Sequence, residues 1–135
     1  MKNWRKIFVV GVLASVALVT ALTVFRPPLG GHPNFPTRSV QRITISQWKP
    51  NPVVITNGND CLEIVRLLRT SRRSGEEHKC ASIALFRIEM DSNALIEVRL
   101  APGHWFENLE VVWKGEAYSL PRSAVDRIFE LAESK

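Results

Sequence analysis

Apolar positions along this chain change their spacing several times, and each change marks a different element. From Ile7 to Phe25 the sequence runs 19 residues without a charge. As a helix rising about 1.5 Å per residue, that run nearly matches a hydrocarbon core about 30 Å thick. It has no polar face, which a helix on the surface of a soluble core would show. The stretch RPPLGGHPNFP follows, and its prolines and glycines neither continue a helix nor join a strand ladder, so it predicts a short spacer.

Beyond the spacer the period falls to two. SVQRITIS places Val40, Ile43 and Ile45 in loose alternation and PVVITN is a β-branched run. The two predict strands joined by the loop QWKPNP. Cys61, Ile64, Val65 and Leu68 then recur at helical spacing, predicting a helix from about Cys61 to Ser71 with Asp60 as its cap and Glu63 completing a box. SGEEHK reads as a polar connection. ASIALFRIEM and ALIEVRL flank Asp91, Ser92 and Asn93 as one hairpin, and NLEVVWKGEAYSLP turns at Gly115 as a second. Val125, Ile128, Phe129 and Ala132 form the stripe of a last helix, with Ser123 and Asp126 as its N-terminal box.

The order ββα, two hairpins, α predicts an α+β fold: a single small domain whose antiparallel sheet of about five to six strands carries two helices packed on one face, preceded by an N-terminal transmembrane helix. Glu97, Arg99, Glu110 and Lys114 are expected on the solvated opposite face. The chain divides into a cytoplasmic basic stub (1–6), a transmembrane signal anchor (7–25), a Pro/Gly linker (26–36) and an extracytoplasmic domain (37–135).

Charge fixes the orientation and removes one function class. Lys2, Arg5 and Lys6 precede the apolar run and only Arg26 follows it closely, which holds the N-terminus in the cytoplasm and sends the rest across a plasma or inner membrane. A cut after Ala21, with Val19 as the other small residue, would instead release a periplasmic or secreted protein acting as an inhibitor or ligand binder; the length of the run favours the anchor. The formal charge is +5, but four of the 18 basic residues belong to this topogenic segment, and from Pro27 onward 14 basic residues face 13 acidic ones. Nucleic acid is therefore not the expected partner.

Candidate chemistry is sparse. In an exported chain Cys61 and Cys80 are expected to form a disulfide, worth about 3 kcal/mol for a loop of about 20 residues. His78 and Cys80 alternate without the further ligands a zinc site requires, so no metal and no cofactor are expected. His104 and Glu107 are near each other in sequence, yet there is no G-x-S-x-G, H-E-x-x-H or phosphate-binding glycine loop. No catalytic residue is assigned, and a small hydrolase is the weakest of the function classes.

Two features suggest binding. Arg66, Arg69 and Arg73 fall at i, i+3 and i+7, with Arg72 alongside, as a positive stripe for anionic headgroups or an acidic partner. Against this, Glu63, Glu76 and Glu77 stand close enough in sequence to neutralise it. The loop LAPGHWFENL sets His104, Trp105 and Phe106 where polar residues are usual; the rings either fold over the open edge of the core or form a tip suited to an envelope protein partner. The expected function is a membrane-anchored extracytoplasmic binding or accessory module of the cell envelope, attached through its N-terminal helix and non-catalytic.

Overall fold

A computed structural model describes residues 29–36, 38–77, 80–103 and 109–134. The apolar run 7–25 lies outside these residues, and among them no helix is long and apolar enough to cross a membrane. The elements are β1 (Val40–Ser46), β2 (Val53–Ile55), α1 (Gly58–Arg69), β3 (Arg72–Glu76), β4 (Ala84–Met90), β5 (Leu95–Pro102), β6 (Leu109–Trp113), β7 (Glu116–Leu120) and α2 (Arg122–Glu133). Seven strands make one sheet in the order β2-β1-β4-β5-β6-β7-β3, every pairing antiparallel. The fold is thus the expected small α+β domain, with a wider sheet.

Register explains why one face is apolar. Ile43 pairs with Ile88 and Ile45 with Phe86. Phe86 pairs in turn with Val98, and Leu100 with Val111, which meets Tyr118. Because side chains alternate across a strand, these residues share a face, and they join Ile64, Val65 and Leu68 of α1 and Val125, Ile128 and Leu131 of α2 in one core cluster. An ion pair from Arg127 Nε to Glu63 Oε1, 2.8 Å long, links the two helices at the surface. In the β1–β2 loop, Trp48 reaches Phe129 of α2 and stacks on it, ring centroids 4.5 Å apart.

Several expectations need correction. The seventh strand, β3, comes from RRSGE, which has no apolar alternation; it holds to β7 through its backbone, with an irregularity between Arg73 and Gly75. The cap of α1 is Asn57, not Asp60: its side chain accepts from the amides of Asn59 and Asp60. α2 starts after Pro121 with no side-chain cap, and Asp126 pairs with Arg122 at 3.2 Å instead. Glu110 is only 6% exposed rather than solvated, and its Oε1 accepts from Ser74 Oγ at 3.0 Å. The turn between β6 and β7 uses Lys114 and Gly115, both at positive φ, the pairing that a two-residue hairpin loop favours.

α1 carries the chain from one edge strand, β2, to the other, β3. That outer edge of β3 is met by the second half of the segment read as a linker. Gly30 donates its amide to Arg73 O at 2.9 Å, and Arg73 returns the bond to Gly31 O at 2.7 Å. Four residues on, Phe35 is 1% exposed and meets Trp113 edge to face, centroids 5.2 Å apart. Residues 30–35 are part of the packed domain.

Candidate functional site

The end of α1 is finished by hydroxyls and an imidazole. The last carbonyls of a helix lack intrahelical donors. Here Leu67 O accepts from the amide and the Oγ1 of Thr70, and Leu68 O accepts from the amide and Oγ of Ser71, which is fully buried. His32 Nδ1 donates to Ser71 O at 2.9 Å, which leaves Nε2 as the other ring nitrogen.

Beside this helix end opens a cleft of about 560 Å³, lined by His32, Arg66, Arg69, Thr70, Arg72 and Pro121. Arg66 and Arg69 come from the last turn of α1 and Arg72 from the first position of β3. His32 comes from the segment laid along β3, and Pro121 from the residue that starts α2. Four parts of the chain thus meet in one basic concavity.

Two of the acids expected to neutralise the arginines, Glu63 and Glu77, are occupied elsewhere. Glu63 bonds Arg127, not Arg66. Glu77 pairs with Arg99, and Glu116 takes Arg73, whose Nε and second guanidinium nitrogen both lie 2.8 Å from Glu116 Oε2. Among the described residues no carboxylate pairs with Arg66 or Arg72. Of the predicted stripe, Arg66, Arg69 and the adjacent Arg72 line the cleft, while Arg73 forms a shielded ion pair with Glu116 of β7. Guanidinium forks can grip phosphate or carboxylate oxygens in pairs. The arrangement suits an anionic ligand.

A second concavity of about 340 Å³ lies by the β4–β5 turn, with Arg87 and Glu89 in its wall. Its charges are already satisfied: Arg87 reaches Glu97 at 3.0 Å and Glu89 meets Arg42 at 3.5 Å.

His104, Trp105 and Phe106, the aromatic tip, lie outside the described residues, as does His78. The expected disulfide is absent: no bond joins Cys61 and Cys80. Cys61 is buried on the inner stripe of α1, its Sγ–H directed to Ile55 O at 3.3 Å, while Cys80 is solvent-exposed. Among the described residues no group of three or more His, Cys, Asp or Glu could hold a metal. Burial in the core raises the Tyr118 pKa above its ordinary value, Glu116 adding to the rise and Arg73 opposing it.

Sequence reasoning did not find His32, Thr70, Arg72's place in the wall, or Pro121. His32 and Pro121 stand far from α1 in sequence, so spacing carries no trace of their meeting. Comparison with protein-family models, with curated proteins and with solved structures finds no match.

Proposed function

We propose that this protein is a membrane-anchored extracytoplasmic binding or accessory module of the cell envelope, non-catalytic, whose binding surface is the arginine-lined cleft at the junction of α1 and β3. One observation carries the reading: the cleft opens beside the segment that connects the domain to the apolar run. Gly30 and Gly31 bond to β3, and His32, the next residue, lines the cleft. The run Ile7–Phe25 has the length and flanking charge of a signal anchor, and a domain tied at Gly30 stays near its membrane.

The test is fractionation of cells expressing the full chain. The protein is expected to pellet with membranes, to resist alkaline carbonate extraction, and to lose its C-terminal domain to protease added from outside. A soluble mature chain starting near Leu22 would overturn the anchored reading.

A further inference from the structure

Building on the anchored reading, we infer that the His32–Arg66–Arg69–Arg72 cleft binds the phosphate of an anionic phospholipid headgroup in the leaflet beneath the domain. Reach supports this source. His32 in the cleft wall is seven residue steps from Phe25, the last of the apolar run, and an extended chain covers at most about 25 Å over that span. The cleft therefore cannot leave the neighbourhood of the headgroups while the run is in the bilayer. Leu29, four residues from Phe25 in sequence, is a large apolar side chain and 72% exposed. Charge supports it too. Arg66 and Arg72 lack a carboxylate partner among the described residues, so their charge is available to an anion at this concavity. A juxtamembrane basic residue near an anionic surface favours binding by about fivefold. A protein partner with acidic residues would meet the same chemistry, but nothing in the tether brings it there.

The experiment uses the full chain in nanodiscs and phenylglyoxal, which modifies arginine, with peptide mass mapping to read each site. The discs are phosphatidylcholine alone, phosphatidylcholine doped with phosphatidylglycerol, and phosphatidylcholine with millimolar inorganic phosphate in solution. Arg66 and Arg72 should react at least about fivefold more slowly in the phosphatidylglycerol discs, while Arg87, on the sheet, keeps its rate in all three. Native mass spectrometry should find phosphatidylglycerol retained by the wild type and lost by R66Q/R72Q. Both positions are polar-facing, and an unchanged near-UV spectrum verifies that the variant folds. Equal Arg66 and Arg72 rates in the two lipid discs would overturn the lipid site. So would equal protection by inorganic phosphate in neutral discs, which would make the ligand a soluble anion, and so would slow reaction in every disc, which would put another occupant in the cleft. If the chain proves to be released rather than anchored, flotation of the mature form with phosphatidylglycerol vesicles separates the two proposals. Binding lost in R66Q/R72Q would retain the cleft and discard the anchor; no flotation would discard both.

Discussion

Phe35→Ala tests whether the segment leaving the apolar run is truly part of the domain. The ring is 1% exposed and packs edge to face on Trp113 with centroids 5.2 Å apart. Removing a fully buried phenylalanine forfeits about 1.5–3 kcal/mol of apolar burial. Losing the aromatic pair adds about 0.5–1.5 kcal/mol, and the cavity left behind brings the total to about 3–5 kcal/mol. For a domain of roughly 100 residues, each 1 kcal/mol moves Tm by about 4–8 °C, so a fall of at least about 12 °C is expected. Differential scanning calorimetry of wild type and variant in the same detergent measures it. A chain truncated to begin at Thr37 should lose a comparable amount, because it lacks the same ring. A drop in Tm of only a few degrees in both would show that residues 30–35 contribute no packing, and the tight tether invoked for the cleft would fall with it.

Four further outcomes are expected. Tyr118 is the only tyrosine in the chain, so its absorbance near 295 nm reports its titration directly; its pKa is raised in the fold, so the unfolded chain loses its proton first and stability should fall as pH rises above about 10. Tyr118→Phe should remove that alkaline loss, and an unaltered pH–stability curve in the variant would refute the assignment. Iodoacetamide should label Cys80 alone in the native protein and Cys61 only after denaturation, as read by intact mass; a non-reduced peptide bridging the two would overturn this. Arg73→Ala should cost about 3 kcal/mol in urea unfolding by stranding Glu116 in a shielded site, whereas R73M/E116L should recover most of it. Gly115→Ala should destabilise by about 1 kcal/mol, since the turn holds that residue at φ +77°, and a neutral effect would count against the tight-turn geometry.

Elements whose burial pattern is periodic were legible in the sequence; β3, held by backbone bonds and polar side-chain contacts, was not. Val98 and Leu100 announce β5, and Ile64, Val65 and Leu68 announce α1, because each buries alternate or helically spaced side chains in the core. RRSGE offers no such signal. Its place at the sheet edge is fixed by hydrogen bonds to β7 on one side and to Gly30 and Gly31 on the other, and backbone groups carry no trace in residue type. The same holds for the spacer: Pro and Gly in RPPLGGHPNFP report an inability to form regular structure, which is equally true of a free tether and of a segment docked on an edge. Phe35 was the residue that distinguished them.

The cleft exposes a different limit, that of inferring charge balance from neighbours in sequence. Counted along the chain, Arg66 has Glu63 at i−3, and the exposed helix face reads as self-neutralised. Folding reassigns the partner: α2 packs beside α1 and Arg127 takes Glu63, with Glu130 sharing its guanidinium at 2.8 Å. On β3 the alternation of side chains sends Arg72 and Arg73 to opposite faces, so one of two adjacent arginines is captured by Glu116 while the other is left at the cleft mouth. Each step moves an acid away from the end of α1 without moving an arginine, and Arg66 and Arg72 are left with no carboxylate among the described residues. The end of α1 is also where the chain arrives from the apolar run, and that is the ground for proposing an anionic ligand at the membrane surface rather than one met in free solution.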